Sequence, residues 1–187
     1  MSLIENSFPL PGRATPLLHE LNIDRTIRCP NFNSRHEKDK IRCICLHHSG
    51  SSNAAGDLNY LSQSHNPDGS RIYAGYHYYI NDRGMVYQLI DDRKRAWHAG
   101  QSIVHGQVDR GGKSINGISL GICLTGDGKR AFSESQYASL IQLVYAKSVI
   151  YQVLPTFIVG HFHVSPGRKI DPQPLDWNRL FRGLYSQ

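Results

Sequence analysis

YHYYINDRGMVYQLI, residues 76–90, reads as strand, turn and strand. Two runs rich in Tyr, Ile and Val flank Asn-Asp-Arg-Gly, the usual dress of strands bounded by turn residues, so this is the clearest hairpin in the chain. Its neighbours look different. IRCICLHH (41–48), ISLGICL (118–124) and FIVGH (157–161) are near-continuous apolar runs, as strands buried on both faces are. The last of these delivers His161 at its end.

Helical spacing fills the intervals. A loop at Gly50–Asn53 leads into a short helix, roughly Gly56–Ser64. Ser133–Gln136 has the S-x-x-Q form of a capping box, and Tyr137, Leu140, Ile141 and Val144 continue it to about Gln152. Trp177, Leu180, Phe181 and Leu184 form a final amphipathic helix after Pro174. Residues 99–117, rich in Gly, Ser and Asn, read as a long surface loop, and such a loop in a compact domain is more often functional than idle. Strands, a hairpin and helices intermix, which predicts an α/β single domain with a central mixed β-sheet and helices on both faces. Residues 1–40, with Pro9, Pro11, Pro16 and Pro30, read as an extended segment wrapped on a body formed by 41–187. There is no internal repeat and no low-complexity tract.

At 187 residues the chain fits one domain with a sizeable core. No apolar run approaches the ~20 residues that cross a bilayer. MSLIENSFPLPGR lacks a basic segment followed by an apolar one, so the expectation is a cytoplasmic protein that either stays there or leaves by lysis or a non-classical route. Four cysteines are too few for a disulfide scaffold. Cys43 and Cys45 alternate within an apolar run, as small buried strand residues do, and no C-x2-C pair marks a cysteine zinc site. A net charge of +6 favours polyanionic partners, yet the longest basic block is Arg-Lys-Arg at 93–95, which argues against a nucleic-acid binder.

The histidines carry the chemistry. A single histidine is more often structural than a ligand, but His47 and His48 close one buried strand, His161 closes another, and Asp171 follows in a Pro-bounded loop. Ends of neighbouring strands lie close together. Two imidazoles and one carboxylate with an open fourth position make the pattern of a catalytic zinc site, which lowers the pKa of water towards ~7 and polarises carbonyls. Successive strand residues face opposite ways, so only one of His47 and His48 can reach such a site. Alternation does not choose between His161 and His163.

At these residues the sequence resembles the type-2 N-acetylmuramoyl-L-alanine amidases, a family that includes peptidoglycan recognition proteins, amidase-type phage lysozymes and cytosolic anhydro-muramyl peptide amidases. The stretches that carry the resemblance are CPNFNSRHEKDKIRCICLHHSG, AGYHYYINDRGMVYQLIDDRKRAWHAGQS, NGISLGICLTGD and VGHFHVSPGRKIDPQPLDW, in the family's order across residues 29–177. It implies hydrolysis of the amide between the lactyl group of N-acetylmuramic acid and the L-alanine of the stem peptide. It also implies one Zn2+ per chain, held by His47, His161 and Asp171, with His48 and His163 as neighbours. Lys169 matches the catalytic lysine, placed to face an oxyanion. Tyr76 matches a tyrosine beside the attacking water. Trp97, His98 and Asn116 match positions lining the glycopeptide groove, and Arg168 is expected to hold Asp171 or a stem-peptide carboxylate.

Cys123 stands where the cytosolic enzymes carry glutamate and the phage lysozymes carry cysteine. KRAWHAGQS and the spacing from His161 to Asp171 are closer to the cytosolic type. The implied partner is therefore peptidoglycan or a muropeptide. The rival expectation, a peptidoglycan-binding module without activity, sits poorly with a full set of His47, His161, Asp171 and Lys169.

Overall fold

The computed structural model of the chain describes residues 21–186, so the first half of the expected N-terminal segment lies outside the described residues. The hairpin forms from β4 (Tyr78–Ile80) and β5 (Val86–Gln88), antiparallel, with Tyr78 opposite Gln88 and Ile80 opposite Val86. Its turn is held by the Asn81 side chain, which accepts the N–H groups of Arg83 and Met85. Gly84 closes it at φ +79°, a left-handed conformation that glycine adopts freely, and a Cβ there would meet the Ser135 carbonyl oxygen at 2.6 Å.

Three further strands run parallel to β4: β3 (Cys43–His48), β7 (Ser119–Leu124) and β8 (Ile158–Gly160). With β1 (Ile23–Asp24) they make a six-stranded mixed sheet in the order β1-β5-β4-β7-β3-β8. A second, two-stranded sheet pairs β2 (Phe32–Ser34) with β6 (Lys94–Ala96). Residues 21–40 thus contribute one strand to each sheet.

Period-two alternation divides the central strands between two cores. Ile44, Leu46, Tyr78, Ile80, Ile122 and Leu124 face α2 (Glu134–Tyr151) and α4 (Trp177–Tyr185). On the opposite face Tyr79 and Cys123 pack with α1 (Ala54–Leu61), while Cys43 and Cys45 pack with Ala99, Val104, Ile115 and Ile118. The helices therefore lie on both faces of the sheet. α2 starts at the expected capping box: the Gln136 N–H donates to Ser133 Oγ at 3.1 Å and the Ser133 N–H to Gln136 Oε1 at 3.0 Å. No helix of the described residues is long and apolar enough to cross a membrane.

Three expectations shift. α1 begins two residues earlier than expected because the Asn53 side chain caps it, accepting the Gly56 N–H. The third expected strand ends at Gly160, and His161 opens a short helix, α3 (His161–Val164). Residues 99–117 hold no named helix or strand and run along the surface, with Gln101, Ile103, His105 and 110–113 exposed, but Ala99, Ser102, Val104, Asp109, Ser114, Ile115 and Asn116 turn into the body. Their buried backbone is satisfied by side chains, Ser102 Oγ accepting the Ile115 N–H and Asp109 the N–H of Gly117.

Candidate metal centre

β3 carries His47 to the face of α1 and turns His48 away, where its Nδ1 accepts the Gly50 N–H at 3.0 Å. His47 is wholly buried. β8 is the next strand of the sheet, and the chain leaves it at His161, whose Nδ1 comes 3.1 Å from His47 Nδ1. The return from α3 brings Asp171 back, anchored as its carbonyl accepts the Phe162 N–H at 3.0 Å. Asp171 Oδ2 then lies 3.0 Å from His47 Nδ1 and 3.1 Å from His161 Nδ1. Three potential ligand atoms, each separated by more than a hundred residues or by a loop, meet at one point. His163 does not join them: its Nδ1 accepts the Gly160 N–H, and its ring packs on Phe162 and Trp177.

Burial pushes His47 down to about 4, against the opposing pull of Asp171, so the ring is neutral at ordinary pH. Burial alone would raise the Asp171 carboxyl, but the His161 and His47 rings close beside it outweigh that and hold the group well below the usual carboxylate range. His161 Nε2 lies 3.0 Å from the Ala99 carbonyl, which can only accept. That nitrogen therefore bears the hydrogen, and Nδ1 presents a lone pair to the cluster. At most one proton, that of His47, can stand among three acceptor atoms. A cation satisfies all three, and a two-histidine, one-carboxylate set suits zinc. Cys45 also approaches His47 and His98, but burial raises its thiol well above the ordinary value and it keeps its proton.

The set opens into a cleft of about 280 Å³ walled by Tyr73, Tyr76, Trp97 and Lys169. A larger cleft, about 460 Å³, lies near Arg35, Asp92 and Tyr151 and contains no such convergence, so chemistry and not size selects the site. The Tyr76 ring sits 5.1 Å from that of His47. Burial raises its phenol well above the ordinary value, and its hydroxyl donates to the Cys123 sulfur. Burial likewise raises Cys123, which stays a thiol. Lys169 is exposed on the rim. Trp97 is half-buried; its Nε1–H donates to Asn33 Oδ1, Tyr73 packs on its ring at 5.6 Å, and the Arg71 guanidinium lies 5.1 Å above it.

Of the residues expected at the groove, His98 lines the cleft from within its wall, while Asn116 and Arg168 bond to the segment beside it. His98 is buried behind His47, with Nδ1 3.1 Å from His47 Nε2 and Nε2 3.0 Å from Ser119 Oγ. Asn116 is buried and accepts the Ala99 N–H at 2.8 Å. Arg168 is exposed and does not touch Asp171; its Nη2 donates to the carbonyls of Ala99 and Gln101 at 2.9 and 2.6 Å and to Ser165 Oγ at 2.6 Å. Asn116 and Arg168 thus grip the two sides of the segment whose carbonyl orients His161. Ser119 and the Ala99 carbonyl escape sequence reading. Gly121 also goes unmarked, although a glycine inside a strand is the kind of signal that points to a close approach.

Comparison with known proteins agrees with this geometry. The family described as N-acetylmuramoyl-L-alanine amidase matches residues 37–174. A relative from Haemophilus influenzae, the 1,6-anhydro-N-acetylmuramyl-L-alanine amidase AmpD, is 31% identical over 176 residues, covering 86% of this chain and 91% of that protein. A crystal structure of a selenomethionine AmpD derivative superposes with a TM-score of 0.67 at 26% identity, over 88% of this chain and 95% of that one. E. coli AmiD, solved with anhydro-N-acetylmuramic acid-L-Ala-D-γ-Glu-L-Lys, shares the fold at 23% identity and a TM-score of 0.66, over 79% of this chain and 60% of that one. Fold, ligand set and family match converge: the chain belongs to the N-acetylmuramoyl-L-alanine amidase family.

Proposed function

We propose that the protein is a zinc-dependent N-acetylmuramoyl-L-alanine amidase that hydrolyses the lactyl–L-alanine amide of soluble muropeptides. The observation that carries this reading is the meeting of His47 Nδ1, His161 Nδ1 and Asp171 Oδ2 within 3.1 Å at the floor of an open cleft. These three atoms would hold zinc, and what a bound zinc supplies is polarisation of the carbonyl and activation of water. The rest falls to the chain. The Lys169 ammonium at the rim offers positive charge to the developing oxyanion. Tyr76, kept protonated by its burial, holds a proton at Oη for transfer to the departing L-alanine nitrogen. Trp97, with Tyr73 and Arg71 packed on it, forms an amphipathic wall for the glycan.

The name of the AmpD relative supports muropeptides as the substrate class, since it specifies the 1,6-anhydro sugar. Four free, buried cysteines suit a reducing compartment, and we place the reaction in the cytoplasm. Mass spectrometry of products from purified anhydro-muropeptides and from intact sacculi, run side by side, tests the proposal. Free stem peptides beginning with L-alanine, released faster from the soluble substrate, are expected. New reducing sugar ends would mark a glycosidase and sink it.

A further inference from the structure

We infer that His98 is a positioning residue: with Ser119 it forms a one-way hydrogen-bond chain that fixes the tautomer of His47 and sets how tightly the centre holds its metal. The inference rests on the zinc reading above and assigns His98 a different job from a substrate contact.

The chain takes its direction from a carbonyl, which can only accept. Ser119 Oγ lies 2.6 Å from the Ile115 carbonyl oxygen, so the single hydroxyl proton points there. Only lone pairs remain on Oγ to meet His98 Nε2 at 3.0 Å, and that nitrogen must carry a hydrogen. A neutral imidazole has one N–H, so His98 Nδ1 is an acceptor. It faces His47 Nε2 at 3.1 Å, which must therefore donate. His47 Nδ1 is then left as a lone pair towards His161 Nδ1 and Asp171 Oδ2. The one proton that could have stood among the three ligand atoms is thus drawn away by a carbonyl three groups distant.

β7 is shaped to admit this chain. It contributes Ser119 at its first residue and, two residues on along the same face, Gly121 opposite Cys45. A Cβ at Gly121 would meet His98 Cγ at 2.5 Å, so only glycine leaves room for the ring. A glycine in a strand interior ordinarily weakens it; here the space it vacates holds the His98 ring.

The experiment measures zinc affinity of the full chain by competition with a chromophoric chelator, together with kcat and KM of the zinc-saturated protein. His98→Ala should weaken zinc binding by about 10- to 100-fold, the range for removing the partner of a metal-ligating histidine. His98→Asn, which returns an amide oxygen near the place of Nδ1, should recover part of that loss. Ser119→Ala keeps the ring and its packing and should weaken binding by a smaller factor. Unchanged zinc affinity with a raised KM in His98→Ala would make the residue a substrate contact and overturn the inference. Equal losses in His98→Ala and His98→Asn would reduce it to packing and overturn it as well. Should His98→Ala fail to fold, unchanged affinity in Ser119→Ala overturns it alone. Absence of zinc uptake by the unaltered protein is a separate result, and it removes the metal reading itself.

Discussion

Lys169 and Cys123 stand on opposite sides of the same chemistry, one on the rim of the cleft and the other beneath Tyr76. Lys169→Ala should keep zinc bound and lower kcat by ~100-fold or more, the scale for losing one oxyanion donor. Zinc content and single-turnover rates of the purified variant check this. Cys123→Ser should stay within a few-fold of the parent, because a serine oxygen also accepts the Tyr76 hydroxyl and the thiol it replaces is protonated. A fall as deep as that of Lys169→Ala would instead make Cys123 a base, and a loss of zinc would make it a ligand. At this scale the ligands were half legible. Strand alternation shows from sequence that only one of His47 and His48 can be a ligand, and the family resemblance picks His47. Alternation cannot select His161 over His163, because the strand stops at Gly160 and a helical turn reorders the side chains. Ser119 was not legible at all: a hydroxyl aimed at one carbonyl leaves no pattern in the residues around it.

Among the elements, α2 gives the cleanest separation of stability from activity. Its capping box lies on the face away from His47, so Ser133→Ala should cost about 1 kcal/mol of stability while activity per folded molecule is unchanged. Urea titration beside a specific-activity measurement decides the matter; a matching loss of activity would contradict the two-faced layout. The segment 99–117 should behave in the opposite way. Asn116→Ala leaves the buried Ala99 N–H without an acceptor, at about 1–3 kcal/mol, and loosens the carbonyl that orients His161. Weaker zinc binding as well as a lower urea midpoint is expected, and an unaltered zinc affinity would show that Ala99 is held by Arg168 alone. The capping box and the apolar strands were readable because each has a period or a fixed spacing. The Gly, Ser and Asn of 99–117 announce irregular backbone, but composition does not say whether irregular backbone lies on the surface or is folded inward and satisfied by its own side chains.

For the whole molecule, buried neutral histidines govern the response to acid. Burial, with Arg35 nearby, pushes His77 down to about 4, while an unfolded histidine titrates near ~6.5. Between these values the unfolded chain binds the extra proton, so stability is full above ~6.5 and is lost as pH falls towards 4, on the order of 3 kcal/mol for this group. Urea midpoints of the metal-free protein should therefore drop from pH 7 to pH 5, and His77→Gln should flatten that slope; a slope unchanged in the variant would place the sensitivity elsewhere. Zinc at the proposed centre would work in the other sense, adding about 2.7 kcal/mol when free metal is a hundred times Kd, so chelation should lower Tm. The ligands themselves are far apart along the chain, His47 lying 114 residues from His161 and 124 from Asp171, with His98 at 51. Contacts of such long range close late, after loop-closure entropy has been overcome. During synthesis a ribosome must therefore deliver the chain through Asp171 before the centre can exist. No nascent fragment ending before Asp171 can bring the full proposed ligand set to a metal, so metal capture would certify that every segment from His47 to Asp171 has been both made and folded.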